Sequence, residues 1–207
     1  MIHSNFSIRI PIIALILAAM MSSCCCSSVP SSLIRDQALE QAIREQIGKP
    51  QGELTIEDLE GISELRALFA DVESIEGLQY CRNLEILSLT SNRISNLAPL
   101  KELTQLKRLY LTNNQISNIE HISSLVNLED LTLGVNHISD IRPLTGLKNL
   151  KWLGIEGNMI RDLEPLVLNE GIGEGDVINI ADNPLSDDAR TRQLQLLEER
   201  GVSFINW

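Results

Sequence analysis

The chain has 207 residues, with 28 Asp and Glu against 17 Lys and Arg, so its formal net charge is −11. A surface this acidic repels phosphate groups, which argues against nucleic acid as a partner and against adhesion to anionic lipid by charge alone. Hydrophobic residues make up 43% of the sequence and aromatic residues only 3%, so the core must be aliphatic. With three His and four Cys, we predict neither a metal site nor a cofactor.

The amino-terminal segment has the organisation of an export signal. A short region with one basic residue, Arg9, is followed by an apolar run over residues 10–21 and then by Ser22, Ser23 and Cys24. A basic region, an apolar region and small residues in this order are typical of a secretory signal. The run is shorter than the roughly 20 residues that a membrane-spanning helix needs. We therefore predict a signal peptide over residues 1–23.

The small residues directly before Cys24 resemble the signal of bacterial lipoproteins. The resemblance implies that Cys24 becomes the new amino terminus and carries acyl chains, so that only a lipid anchor joins the protein to a membrane. Several acyl chains hold a protein stably, whereas one chain is marginal. Cys25 is an alternative lipidation site, and plain secretion or an uncleaved anchor are alternative outcomes. Residues 24–32, rich in Ser, are predicted to form a lipidated polar tether.

The central part of the sequence repeats every 22 residues. Four consecutive segments match L-x-x-L-x-L-x-x-N-x-I-x-x-L-x-x-L, with Ile replacing Leu in places, and they begin at Leu84, Leu106, Leu128 and Leu150. A weaker copy begins at Ile62 and has Ala70 where the others have Asn, and a partial copy at residues 178–185 lies three residues out of step. One such segment cannot bury its own apolar residues, so successive coils must stack.

Each repeat contains the elements of one solenoid coil. The L-x-L segment alternates with period two and predicts a short strand, and Pro99, Pro143 and Pro165 favour extended or 3₁₀ backbone on the opposite side. Open ends of a solenoid expose apolar core and need caps. We predict a helical amino-terminal cap over residues 33–61, repeats over 62–185 and a helical carboxy-terminal cap over 186–207.

This pattern resembles the leucine-rich repeat family over about residues 33–207. The 22-residue period and the N-x-I-x-x-L-x-P-L turns at 92–100 and 158–166 resemble the internalin-type class of bacteria. The segments LTIEDLEGISEL and GLQYCRNLEIL are similar to its amino-terminal region, and GEGDVINIADNPLSDDA is similar to its carboxy-terminal region. The resemblance implies an α/β leucine-rich repeat solenoid, right-handed, with parallel strands on its concave face and helical caps.

The repeated Asn predicts a structural ladder. An Asn side chain has two donors and an acceptor, enough to bond the turn backbone of adjacent coils. We expect this asparagine ladder to consist of Asn92, Asn114, Asn136, Asn158 and Asn183.

Other reactive residue types have structural interpretations. Cys81 occupies a position that is Leu in later repeats, which predicts a buried small hydrophobe rather than a reactive thiol. His121 and His137 fall on different faces of the coil and do not form a metal pair. The Gly-x-Gly-x-Gly of residues 171–175 lacks the Lys-Ser/Thr of a phosphate loop, so it indicates a turn into the final coil.

The strand residues between the leucines are free to vary, and we call the face that they form the strand face. Exposed aromatics beside Arg and acids are typical of interface hot spots. The predicted partner-binding residues are Glu64, Arg66, Ile86, Arg108, Tyr110, Asp130, Thr132, Trp152 and Glu156. The alternative is that Trp152 merely packs over Gly154 and covers the sheet.

Together these features predict a non-enzymatic, monomeric module, exported to the bacterial cell envelope, that binds a protein or peptide through its concave strand face. Adhesion or host interaction is the role that the resemblance suggests. The alternatives are glycan binding, since sugars stack on Trp, a structural or assembly lipoprotein of the envelope and, as the remote case, a hydrolase.

Overall fold

The computed structural model describes residues 32–205, and the predicted signal peptide and the lipidation site at Cys24 lie outside this range. The helices are α1 (Gln37–Ile47), α2 (Ile56–Glu60), α3 (Glu164–Leu168) and α4 (Leu194–Glu199). The strands are β1 (Glu64–Arg66), β2 (Ile86–Ser88), β3 (Arg108–Tyr110), β4 (Asp130–Thr132), β5 (Trp152–Gly154), β6 (Val177–Asn179) and β7 (Ser203–Ile205). In this range no helix is both long and apolar enough to cross a bilayer.

All seven strands are parallel and pair in chain order, β1 to β7, in one open sheet. Because β1 to β5 advance by one 22-residue repeat per strand, equivalent leucines lie in register. The central column is fully or almost fully buried and consists of Leu65, Leu87, Leu109, Leu131, Leu153 and Ile178. The predicted α/β leucine-rich repeat solenoid with terminal helices is confirmed.

Besides the asparagine ladder, a second set of Asn and Asp residues is repeated. These residues stand where four of the coils enter the segment opposite the sheet, which we call the back of the coil. In four coils an Asn or Asp side chain accepts a hydrogen bond from the backbone N–H two residues later, at 2.8–3.0 Å. This local turn places the chain at the start of a 3₁₀ or helical segment. The residues are Asn96, Asn118, Asp140 and Asp162.

The backs of the coils are 3₁₀ segments in four repeats, at Leu78–Tyr80, Ala98–Leu100, Glu120–Ile122 and Arg142–Gly146. The prediction of extended or 3₁₀ backbone is wrong for the back of the fifth coil, which follows β5 and forms the α-helix α3. Pro165 lies in the first turn of α3, where a missing N–H costs no hydrogen bond. The step from Trp152 to Val177 is also three residues longer than a repeat, which leaves room for the extra turn.

The front cap joins the first coil through Asp36. Its Oδ1 accepts hydrogen bonds from the N–H groups of Ala38 and Leu39 and so caps α1, while its Oδ2 accepts from Glu73 and Ser74 at 2.8 and 3.0 Å. Partial burial raises the pKa of this carboxyl, but the four backbone donors together hold it below its ordinary value of 3.8.

The back cap is held by a buried amide. Gln193 is 3% exposed; its Oε1 accepts from the N–H of Leu163 at 2.7 Å, and its Nε2 donates to Asp162 at 2.7 Å.

The glycine-rich insertion before β6 brings two chain segments very close. A Cβ at Gly171 would lie 2.1 Å from the carbonyl oxygen of Lys148, so no other residue fits there.

Candidate functional site

The asparagine ladder runs along one edge of the sheet, just after each strand. In a typical rung, Asn114 donates from Nδ2 to the carbonyls of Leu89 and Leu111, both at 3.0 Å, and its Oδ1 accepts from the N–H of Ile94 at 3.0 Å. Asn92, Asn136, Asn158 and Asn183 make the equivalent bonds in their own coils. Each rung ties one coil to the coil before it, and its polar atoms are not available to a ligand.

The strand face carries the predicted partner-binding residues in registered rows. The first row is Glu64, Ile86, Arg108, Asp130, Trp152 and Val177, and the second row is Arg66, Ser88, Tyr110, Thr132, Gly154 and Asn179. Adjacent members of a row are about 4.8 Å apart, which is the spacing of paired strands. The central strands therefore bring Arg108, Tyr110, Asp130, Thr132 and Trp152 together.

A polar cluster joins β3 to β4. Arg108 Nε lies 3.3 Å from Asp130 Oδ2, and the Tyr110 hydroxyl donates a long, 3.4 Å hydrogen bond to the same oxygen. Partial burial raises the pKa of Tyr110, and the negative charge of Asp130 raises it further. Trp152 stands opposite Asp130 on the next strand and is 39% exposed. An exposed Trp beside a paired Arg and Asp is typical of a contact surface.

Glu64, Arg66 and Ile86 do not belong to this cluster. Glu64 and Arg66 form an ion pair with each other on β1, and the half-buried Ile86 on β2 separates this pair from Arg108. The Glu64–Arg66 pair on β1 therefore lies apart from the cluster on β3 to β5, with Ile86 between them.

Glu156 lies beyond the end of β5, with its carboxylate folded over two glycines. A Cβ at Gly134 would be 2.1 Å from Glu156 Oε1, and a Cβ at Gly154 would be 3.1 Å from Glu156 Oε2 and 3.6 Å from Thr132. The nearest atoms over Gly154 thus belong to Glu156 and Thr132 rather than to Trp152. The Oε2 atom is buried and has no hydrogen-bond partner among residues 32–205.

Sequence reasoning missed the two members of the strand face that lie on β6. Val177 and Asn179 continue the two rows on β6, next to Trp152 and Gly154. The three-residue shift after the glycine-rich insertion hid them. The partial copy at residues 178–185 carried the signal, because aligning its Ile and Asn positions with the earlier repeats places Val177 after Trp152.

Other residue types in the described range have structural surroundings. Cys81 is fully buried, and burial raises the pKa of its thiol to about 12, so it is not a nucleophile at neutral pH. Between residues 32 and 205, no three His, Cys, Asp or Glu side chains are grouped in a way that could hold a metal ion.

Comparison with protein families and curated proteins identifies the repeats. A family model described as leucine-rich repeats (2 copies) matches residues 82–124 and 104–146. No curated protein gives a significant match to the chain.

Solved structures of bacterial proteins have similar folds. The internalin InlF of Listeria monocytogenes is 25% identical, with a TM-score of 0.69 over 87% of this chain and 59% of that one. A leucine-rich repeat protein of Leptospira interrogans (23% identity, TM-score 0.60) aligns over 76% of this chain and 42% of its own. The functional domain of InlJ from L. monocytogenes (16%, 0.58) aligns over 77% and 40%. This chain thus spans less than two thirds of each relative, and the last two show the fold alone. The chain therefore contains leucine-rich repeats and folds as a leucine-rich repeat solenoid similar to that of an internalin.

Proposed function

We propose that this protein is a non-enzymatic binding module that recognises a protein or peptide partner through its strand face. The observation that carries the proposal is the exposed Trp152 on β5, beside the Arg108–Asp130 pair and Tyr110. Trp, Tyr and Arg are the residue types that dominate binding energy when they are desolvated at an interface. Leucine-rich repeat solenoids commonly use such extended faces to bind proteins.

The lack of a repeat-imposed role at these positions supports the proposal. The core column and the asparagine ladder keep the same residue type from coil to coil, whereas the first row of the strand face differs at every strand. A large indole held 39% exposed on a sheet does not serve core packing. Its exposed surface becomes favourable when a partner covers it.

We also propose that the module acts at the bacterial cell envelope, joined to a membrane by a lipid on Cys24. This part rests on the sequence of residues 1–24, with its apolar run and its small residues before the cysteine. Metabolic labelling with a radioactive fatty acid should mark the wild-type chain, and Cys24→Ser should abolish the label. Label retained in Cys24→Ser and lost in Cys25→Ser would assign the anchor to Cys25 instead.

The binding face is tested by comparing Trp152→Ala with Val126→Ala. Both changes truncate an exposed apolar side chain, but Val126, 48% exposed, lies outside the strand face. Tagged proteins are cross-linked on intact cells, and partners are quantified by mass spectrometry. We expect wild type and Val126→Ala to recover the same partner, and Trp152→Ala to recover at least about tenfold less, as a hot-spot loss predicts.

Equal recovery by all three proteins would remove the strand face from consideration. Recovery of envelope glycan that depends on Trp152 would favour carbohydrate binding. A partner that is kept by Trp152→Ala, together with protection of the chain from protease added to intact cells, would favour a structural role inside the envelope.

A further inference from the structure

Trp152 and Glu156 flank Gly154 on the strand face, and we call these two side chains the Trp152–Glu156 site. In the sheet Gly154 is flanked by Thr132 on β4 and Asn179 on β6, and along its own chain by Trp152 and Glu156. Alternate residues of a strand point to the same side at about 6.6 Å spacing, so Trp152 and Glu156 stand on either side of the glycine. Gly154 is buried, and the Glu156 carboxylate folds into the space beside it, where a Cβ would lie 3.1 Å from Glu156 Oε2.

The carboxylate of this site has an unmet hydrogen-bonding requirement. Glu156 Oε2 is buried without a hydrogen-bond partner, and Glu156 forms no ion pair with any residue in the range 32–205. A buried acceptor that lacks a donor is unfavourable in the free protein. Glu156 as a whole is half-buried, and rotation about its terminal bond is soft, so the carboxylate can turn Oε2 toward an incoming donor.

The charges around the Trp152–Glu156 site favour a cation. The two basic residues on the strand face are already paired, Arg66 with Glu64 and Arg108 with Asp130. Nζ of the neighbouring Lys151 lies 2.8 Å from Glu129 Oε2. This contact raises the pKa of the Lys151 amine, and the negative charges of Asp130 and Asp176 raise it further. Glu156 is thus the carboxylate on this part of the face whose charge is not compensated.

We infer that the Trp152–Glu156 site receives a Lys or Arg side chain from the protein partner. The cationic head donates a hydrogen bond to Glu156, and its aliphatic stem or its charge lies against Trp152, where a cation–π contact is available. This inference rests on the proposed function, since it specifies which type of partner residue binds to the same strand face. Gly134 and Gly154 are required because a side chain at either would press against the carboxylate and displace it.

The test uses 12-residue random peptides displayed on phage and selected against the chain as purified from cells, in 150 mM salt. Selected peptides are synthesised with each Lys or Arg and again with norleucine, which keeps an aliphatic stem and removes the charge. Binding is measured to wild type, Glu156→Gln, Gly154→Ala, Trp152→Ala and Glu102→Gln. Glu102 is an exposed acid outside the strand face, so its change alters net charge equally.

We expect the selected peptides to share one basic residue. Its replacement by norleucine should weaken binding to wild type and to Glu102→Gln at least tenfold, but to Glu156→Gln less than twofold. Gly154→Ala should weaken the basic peptide at least fivefold without lowering the melting temperature, because its Cβ meets only flexible side-chain atoms at 3.1–3.6 Å.

Two outcomes overturn the inference. Peptides without a shared basic residue, or a norleucine effect of the same size on Glu156→Gln as on wild type, would show that Glu156 does not read a cation. If Trp152→Ala abolishes binding in that case, the strand face still binds and the proposed function stands. If neither Trp152→Ala nor Glu156→Gln affects the selected peptides, both proposals fail.

Discussion

The asparagine ladder and the strand face belong to the same coils, but they differ in how much the residue type varies from one coil to the next. The ladder has Asn in five coils, and each side chain bonds the backbone of its own coil and of the coil before. The strand face has a different residue on each of the first six strands, and it contains the one buried side-chain polar atom without a partner in residues 32–205. Uniform residues thus mark the contacts that every pair of coils repeats, and varied residues mark positions whose residue type the stacking does not fix.

The largest effect should come from Asn158→Asp. Asn158 is 6% exposed, and its Nδ2 donates to the carbonyls of Leu133, Ile155 and Glu156 at 3.0–3.1 Å. A carboxylate of the same shape would point negative charge at three carbonyl oxygens. We expect the free energy of unfolding at pH 7 to fall by about 4 kcal/mol, the scale of an uncompensated buried charge. Urea unfolding followed by circular dichroism measures it.

The same substitution has a pH signature. Burial beside carbonyl oxygens raises the pKa of the new carboxyl in the folded state above its unfolded value. Its destabilising effect must therefore shrink as pH falls below the folded pKa, because the protonated carboxyl again donates a hydrogen bond. A loss smaller than about 1 kcal/mol at pH 7 would mean that the ladder bonds contribute little to the stacking of coils.

The front end of the ladder offers the next effect. The first coil has Ala70 in place of Asn, and Asp36 ties this coil to the front cap by accepting hydrogen bonds from the N–H groups of Glu73 and Ser74. Asp36→Ala removes these bonds and the cap of α1. We expect a loss of about 2 kcal/mol, since one helix cap is worth about 1 kcal/mol and two further donors lose their acceptor.

The contribution of Asp36 should also depend on pH. Its folded pKa is depressed below 3.8, so the stabilisation is fully present above the unfolded pKa and is lost as pH falls through the folded pKa. The stability difference between wild type and Asp36→Ala should be constant from pH 7 to about 5 and should decrease below about 4. A difference that stays unchanged at pH 3 would exclude the charged carboxylate as its source.

Much of the fold was predictable because each coil contacts only its neighbours, so the sequence period carries the structure directly. The strand positions, the buried leucine column and the helical character of the amino-terminal cap follow from local spacing. The double role of Asp36 was not predictable, since Ser74 is 38 residues away and no period relates them. The helix α3 was missed because proline forbids helix interiors but not first turns.

The candidate site was predictable only as a set of rows. Which row members meet follows from register, and Arg108, Asp130 and Trp152 are neighbours as the 22-residue step requires. The interaction of each side chain does not follow from the step. Glu156 can fold over Gly134 because the residue at the equivalent position one coil earlier is a glycine. A repeat pattern that treats each coil separately does not predict such a contact between two coils.

A smaller effect, of opposite sign, is expected at the turn between the two regions. Val135 has φ +54°, a left-handed conformation that a β-branched residue adopts under strain, and it is 51% exposed. The equivalent residue one coil earlier is Asn113, at φ +59°. Val135→Asn should therefore raise the free energy of unfolding by about 1 kcal/mol. Val126→Asn, at an exposed Val without positive φ, is the control and should give no gain.

The smallest effect, and the mirror image of the first, is expected for Glu156→Gln. It lies two residues before Asn158 and changes a carboxylate into an amide of the same shape, but on the strand face. Since Glu156 Oε2 has no hydrogen-bond partner within residues 32–205, the fold loses no bond when the charge is removed. We expect the free energy of unfolding to change by less than about 0.5 kcal/mol, as at most sites that support no fold contact. A loss of 2 kcal/mol or more would mean that this carboxylate stabilises the coil. Glu156 would then support the fold as the ladder residues do, which contradicts the distinction between the ladder and the strand face.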